Sequence, residues 1–243
     1  LELSGSDSAI VLADADVDLA ARSVAFALRL NAGQTCLVPR RVLVERGVHG
    51  KFVEVLRESI REGGAMTTAQ ADERERAERA ARDAVKDDGR AMLILGEDGT
   101  LPYLVDGCPV DSDLFRGAHF GPALAIRAVG SLDEALELHA GIPKTLATAV
   151  FTRDRGLAAS LVPRLGSGIV TINACVTPTG HPGLGSGGHG DSGWGVSRGA
   201  EGLLAMTRPV HVSRTGRRIR TPLDEPSDSI KGRIAGFAAW LYR

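Results

Sequence analysis

Aromatic residues are scarce in this chain, at 4% of 243 positions. So sparse a set gives little surface on which nucleobases could stack. Neither sign of charge dominates: 29 Lys and Arg stand against 30 Asp and Glu, a net charge of -1. That balance gives no reason to expect nucleic acid or an anionic membrane as a partner. No uninterrupted apolar run approaches the roughly 18 residues a membrane span requires. No charged, apolar, small-residue leader opens the chain. Cysteine is limited to Cys36, Cys108 and Cys175, an odd number without CxxC spacing. That argues against a disulfide framework or structural zinc, and no metal site is expected. A reducing, cytoplasmic setting fits these features. The chain begins at Leu1 rather than Met, inside an apolar stretch, which suggests a fragment whose natural beginning is missing.

What is present is an ordinary core-forming composition, 43% hydrophobic and 24% charged. Ala9 to Leu12 is a short apolar run of buried-strand type. Asp14 and Asp16 are turn and N-cap candidates. A helix follows from about Val17 to Leu30, with Leu19, Val24, Ala27, Leu28 and Leu30 as its apolar positions, stopped by Asn31 and Gly33. Val42 to Val44 reads as a strand, and residues 49–62 as a helix with Phe52, Val55, Leu56 and Ile60 on one face. Residues 67–88 form a charged, alanine-rich helix. Strand candidates recur at 91–95, 103–105, 123–126, 147–151 and 168–173, with helices near 132–140 and 155–165. This alternation predicts an α/β fold, a three-layer αβα domain with a largely parallel sheet. Residues 177–199 form a long glycine-rich loop. The organisation expected is one domain over 1–212, then a basic segment and amphipathic helix over 213–243. In that helix Ile230, Ile234, Phe237, Ala238 and Leu241 form a docking stripe.

Three sites attract chemical interest. Glu2 stands between Leu1 and Leu3, just before a loop, where an apolar setting would suit a carboxylate to general-base work. Cys36 lies past a helix end among Gly33, Gln34 and Thr35. Small neighbours there admit a ligand, and loop N–H groups can stabilise an oxyanion. Phe120-Gly121-Pro122 turns into the strand at 123. Taken singly, each has a plainer account: a strand-end glutamate, a buried small thiol and a turn.

Taken in order, they resemble the aldehyde dehydrogenase superfamily. Glu2-Leu3, with Gly5 after it, is similar to that family's Glu-Leu-Gly-Gly motif. Gly33-Gln34-Thr35-Cys36 is similar to its Gly-Gln-x-Cys motif, 34 positions on. Ile10 to Asp18, Arg40 to Val44, Phe120-Gly121-Pro122, Ala149 to Asp154, Gly168 to Asn173, and Gly187-Gly188 with Asp191-Ser192-Gly193 continue the likeness to about residue 212. The resemblance implies the catalytic half of an NAD(P)-dependent aldehyde dehydrogenase that oxidises a small-molecule aldehyde to a carboxylic acid. Cys36 would be the nucleophile, forming a thiohemiacetal and then a thioester. Glu2 would activate the hydrolytic water. Phe120 and Leu3 would contact the nicotinamide end of NAD or NADP. The family's cofactor domain and oxyanion-hole Asn would lie upstream of Glu2, so this fragment alone is expected to be inactive. Homo-oligomers are implied, with Val210-His211-Val212 a candidate joining strand.

The pattern is broken in places. Ala118 replaces the Glu that precedes the family's Phe-Gly-Pro by two positions, with His119 beside it. Ser4 replaces a glycine, and residues 62–100 are shorter than usual. These departures support an alternative, a non-catalytic aldehyde dehydrogenase-like module with a structural or assembly role. A third possibility is an acyl-transferring or reductive relative.

Overall fold

The computed structural model describes residues 1–3, 5–64, 66, 70–96, 102–117, 119–142, 144–176, 180–214 and 225–241. Ala118 lies outside the described residues, as does Ser4. The chain divides into two compact units, Leu1–Thr207 and Arg208–Arg243.

In the first unit, strand β1 (Asp7–Val11) leads to helix α1 (Val17–Arg29) and a 3-10 turn (Leu30–Gly33). Strand β2 (Pro39–Glu45), helix α2 (Arg46–Glu62) and helix α3 (Ala71–Asp87) follow. Next come β3 (Met92–Leu95), β4 (Tyr103–Asp106), α4 (Asp113–Arg116) and β5 (Ala123–Val129). The unit continues through α5 (Leu132–Ala140), β6 (Ala147–Phe151), α6 (Arg155–Leu161), β7 (Ile169–Ile172) and α7 (Gly199–Ala205).

The seven strands form one sheet in the order β3-β4-β5-β2-β1-β6-β7. Only the β3–β4 pairing is antiparallel. The central strand β1 is buried along its whole length, because helices cover both faces. On one face Val24, Leu28, Phe52 and Leu56 of α1 and α2 pack on Val11, Val42 and Val44. On the other, Ala77, Ala81 and Ala84 of α3, with Leu114, Phe115 and Leu136, pack on Ile10, Leu43 and Val105. Two cores around one sheet make the three-layer α/β arrangement expected from the alternating pattern.

Asp16 caps α1 by accepting from the Leu19 amide at 3.0 Å. The buried face of α1 is mostly small: Val17, Ala20, Ala21, Val24, Ala25, Ala27 and Leu28. Leu19 and Leu30, two of the apolar positions of this helix, face outward. Alanines let the helix approach the sheet closely, and the larger leucines fall off that face. Helix α2 begins three residues earlier than its apolar period indicates, since Arg46-Gly47-Val48 has no amphipathic signature.

The second unit contains helix α8 (Asp228–Leu241), and its apolar stripe is exposed at Ile230, Ile234 and Phe237. Val210–Val212 forms no strand. No helix among the described residues is long and apolar enough to cross a membrane.

Candidate active site

The parallel register explains how distant segments meet. Asp7 pairs with Pro39, Ser8 with Thr148, and Arg41 with Ala125. Glu2 therefore precedes β1, Cys36 precedes β2, and Phe120 precedes β5, all at the same end of the sheet. Open α/β sheets usually bind ligands beyond the carboxyl ends of their strands. Here the candidate chemistry gathers at the amino ends.

Cys36 emerges from a tightly wound loop. Asn31, Ala32 and Gly33 have φ of 50, 52 and 73°. Left-handed backbone costs a non-glycine residue about 1 kcal/mol or more. The Asn31 side-chain amide donates to the Gln34 carbonyl at 2.8 Å, and the Gln34 amide donates to the Asn31 carbonyl at 2.9 Å.

Arg40 closes this loop onto the Phe120 turn. Its side chain is wholly buried and donates to the carbonyls of Gly33 at 2.8 Å, Gly121 at 3.2 Å and Thr35 at 3.2 Å. The guanidinium also lies 5.1 Å from the centroid of the Phe120 ring. Gly33 sits so close to this turn that an added Cβ would meet Pro122 Cα at 3.0 Å and the Gly121 carbonyl at 3.1 Å.

Arg41 fixes the lead-in from Glu2. It donates to the Phe115 carbonyl at 2.6 Å, the Ser6 carbonyl at 2.8 Å and Ser8 Oγ at 2.9 Å. It also donates to the Ser6 hydroxyl. Burial lowers both arginines to about 10, opposed by the charge of Asp7. Asp7 is itself buried and pushed up to about 7 by desolvation, against two amide hydrogen bonds and both arginines. Its Oδ1 accepts from the amides of Ala147 and Leu146, while Oδ2 has no hydrogen-bond partner.

Glu2 is exposed, as are Leu1 and Leu3, so the apolar setting expected for it is corrected. The leucines flank an edge segment and turn outward. The glycine-rich loop holds that segment: Glu2 bridges Gly193, and the Leu3 amide donates to the Ser192 carbonyl at 2.9 Å. Ser192 is buried and donates to the Thr145 and His189 carbonyls.

The Glu2 carboxylate acts directly on Cys36. Burial raises the half-buried thiol to about 11, and Glu2 adds to the rise by hydrogen bonding and by its charge. Cys108 and Cys175 are also raised, to about 11 and about 12, by deeper burial. Cys36 is distinguished from them by its partial exposure and by its carboxylate neighbour, not by acidity.

Phe120 is half-buried, and its amide donates to Glu73 Oε2 at 2.9 Å. Leu3 and Phe120 line one hollow of about 370 Å³. His119, in the same wall, is buried with neither ring nitrogen hydrogen-bonded. Burial and the Arg40 charge lower it to about 3, although the nearby Gly121 backbone opposes this. Sequence reasoning did not single out Arg40, Arg41, Asp7 or Glu73. The only signal for the first three was charge inside apolar strand runs.

The sequence model of the aldehyde dehydrogenase family matches residues 1–212. An aldehyde dehydrogenase from a Fusarium species is 31% identical over 226 residues, covering 87% of this chain and 49% of that protein. An NADP-dependent glyceraldehyde-3-phosphate dehydrogenase from Streptococcus equinus is 33% identical over 184 residues, covering 71% and 39%. The crystal structure of an NAD-dependent aldehyde dehydrogenase from Sinorhizobium meliloti superposes with a TM-score of 0.79 at 28% identity, covering 92% and 47%. The chain spans about half the length of the curated relatives it matches most extensively.

Proposed function

Because the chain belongs to the aldehyde dehydrogenase family, we propose that it forms the catalytic half of an NAD(P)-dependent enzyme that oxidises an aldehyde to a carboxylic acid. The observation that carries this reading is the action of Glu2 on the Cys36 thiol. A thiol titrating near 11 is almost wholly protonated at neutral pH, so attack on a carbonyl requires a base to take its proton. Glu2 is that base. As Cys36 Sγ bonds to the aldehyde carbon, the thiol proton passes to Glu2 and the carbonyl oxygen gains negative charge. The Cys36 amide, which already interacts with its own sulfur, is placed to steady that oxygen.

The residues at the Phe120 turn fit a nicotinamide end. Leu3 and Phe120 offer apolar faces on the wall of one hollow. When bound, the dinucleotide supplies the hydride acceptor that converts the thiohemiacetal on Cys36 to a thioester. Arg40 keeps the Cys36 loop and the Phe120 turn in fixed relation while this occurs. Glu2 gives the proton it took from the thiol to solvent, then removes a proton from water, whose oxygen attacks the thioester carbon; that proton goes to the departing Cys36 thiolate. The acid leaves, and Cys36 recovers its proton.

NAD and NADP both remain in the proposal, since the relatives include an NAD-dependent and an NADP-dependent enzyme. Residues beyond this chain complete the cofactor site, and the family tendency to oligomerise is carried over with it. The test is NADH and NADPH formation over a panel of aldehydes by protein containing this chain, beside the Cys36→Ala variant. Activity that does not exceed the Cys36→Ala background defeats the proposal.

A further inference from the structure

The glycine-rich loop, over residues 180–199, turns its large apolar side chains Leu184 and Trp194 outward, so no core of its own shapes it. Backbone contact shapes it instead. A Cβ added at Gly188 would strike the Ser192 carbonyl oxygen and meet Gly193 Cα at 2.6 Å. One added at Gly193 would strike the Leu1 carbonyl oxygen and meet Glu2 Cα at 3.2 Å. Side chains are excluded at both positions, and three backbone layers lie on one another: Gly188, then Ser192-Gly193, then Leu1-Glu2.

These layers hold Glu2, which burial does not fix, since Leu1 and Leu3 on either side of it are exposed. The Leu3 amide donates to the Ser192 carbonyl at 2.9 Å, and the Trp194 amide donates to the Leu1 carbonyl at 3.0 Å. Gly193 bridges Glu2 between them. One side chain pins the layers to the domain. Ser192 is wholly buried, and its hydroxyl accepts from the His189 amide at 2.8 Å. Its single proton is shared between the carbonyls of His189 at 2.8 Å and Thr145 at 3.3 Å. Thr145 leads into β6, which Asp7 holds through the Leu146 and Ala147 amides at 2.8 and 2.9 Å. Loop, β6 and β1 thus share one frame. Strand β2, beside β1, carries Cys36 at its own lead-in.

We propose that the glycine-rich loop is the cradle of the general base, and that Ser192 is its positioning residue, setting where the Glu2 carboxylate stands against the Cys36 sulfur. This rests on the reading of Glu2 as the base that serves Cys36. Ser192 acts through backbone: its hydroxyl fixes the loop, the loop fixes Leu1 to Leu3, and Glu2 follows. An exposed carboxylate on an unpinned segment would spread over many positions, and misplacing reacting groups by about 1 Å costs roughly 100-fold.

Ser192→Ala, Glu2→Gln and the double variant are compared in protein containing this chain. Two rates are read, iodoacetamide labelling of Cys36 near pH 8 and aldehyde oxidation. Ser192→Ala should quicken labelling severalfold, as Glu2→Gln does, because the carboxylate no longer stands against the thiol. It should lower kcat roughly tenfold or more while the aldehyde KM stays within about twofold. Glu2→Gln should then matter far less on the Ser192→Ala background than in the parent. Gly193→Ala keeps the serine and pushes on Leu1 and Glu2 directly, so it should reproduce both changes by a second route. Gly180→Ala, in the same loop with open space around its Cβ position, should alter neither rate. Labelling of Ser192→Ala at the parent rate, or effects that simply multiply in the double variant, would overturn the positioning role and leave the base reading intact. Faster labelling with normal turnover in Glu2→Gln would end the base reading, yet Ser192 would still be the residue that holds a carboxylate against the thiol.

Discussion

The carboxylate of Glu2 and the thiol of Cys36, 34 positions apart in the chain, meet at one end of the sheet, and the carboxylate adds to the rise in the thiol's pKa that burial causes. Glu2→Gln should therefore have opposite effects on two rates. Iodoacetamide labelling of Cys36 near pH 8 should become severalfold faster, because the charge that disfavours the thiolate is gone. Aldehyde oxidation should fall by roughly 100-fold or more, because no base takes the proton from the thiol or from water. Labelling and turnover that drop together would mean that the substitution disturbs the loop rather than the proton transfer.

Asp7 should make stability depend on pH. Its carboxyl titrates near 3.8 when unfolded and near 7 when folded, through burial against the opposing pull of Arg40 and Arg41. Between those values the folded state holds more protons than the unfolded state, so stability falls as pH rises through the window and levels off above it. Asp7→Asn keeps an oxygen for the Leu146 and Ala147 amides and removes the titration. Thermal midpoints measured from pH 4 to pH 8 should shift in favour of Asp7→Asn across that range. Parallel curves for the two proteins would rule this out.

Arg40 should tolerate no cationic substitute. Its guanidinium reaches the carbonyls of Gly33, Thr35 and Gly121 at once and covers the Phe120 ring. A lysine ammonium is a single point and does not span that set. Arg40→Lys should lose about 2–3 kcal/mol of stability, the scale of one or two hydrogen bonds to a charged group. It should also raise KM for the dinucleotide more than it lowers kcat, since the Phe120 turn is what it releases. An unchanged KM would assign Arg40 to stability alone.

Much of this arrangement is legible in the amino-acid order. Runs such as Ala9–Val11 and Ala123–Ile126 declare buried strands, and their alternation with helices implies a parallel sheet. A parallel sheet in turn places the segments before β1, β2 and β5 side by side, which is why the Glu2–Cys36 spacing carries meaning. Other features depend on contacts that no local pattern records. Arg40 and Arg41 look like surface charges in a strand until the carbonyls of Gly121 and Phe115, far along the chain, are seen to surround them. Glu73 reads as one more charge on a solvated helix, yet it caps the Phe120 amide. The exposure of Glu2 is hidden for the opposite reason: Leu1 and Leu3 look like core residues and lie at an edge.

Gly33 packs the Cys36 loop against the Phe120 turn, and Gly33→Ala should separate the two. At φ 73° an L-residue is strained, at a cost of about 1 kcal/mol. The new methyl would also press on Pro122 Cα at 3.0 Å and on the Gly121 carbonyl at 3.1 Å. Both are backbone atoms, so neither can swing aside as a flexible side chain would. Relief requires the Cys36 loop to move away from the Phe120 turn, stretching the Arg40 bonds that join them. A loss of about 2–4 kcal/mol in stability is expected from backbone strain and overpacking together. Turnover should fall further than stability accounts for when assayed well below the unfolding temperature, because misplacing reacting groups by even 1 Å costs roughly 100-fold. Gly64→Ala provides the control. It has a similar φ of 70° with open space around its Cβ position, and lies outside the site. It should lose stability through backbone strain alone and retain activity. Equal losses of activity in the two variants would show that the close approach of Gly33 to Pro122 has no part in aligning Cys36.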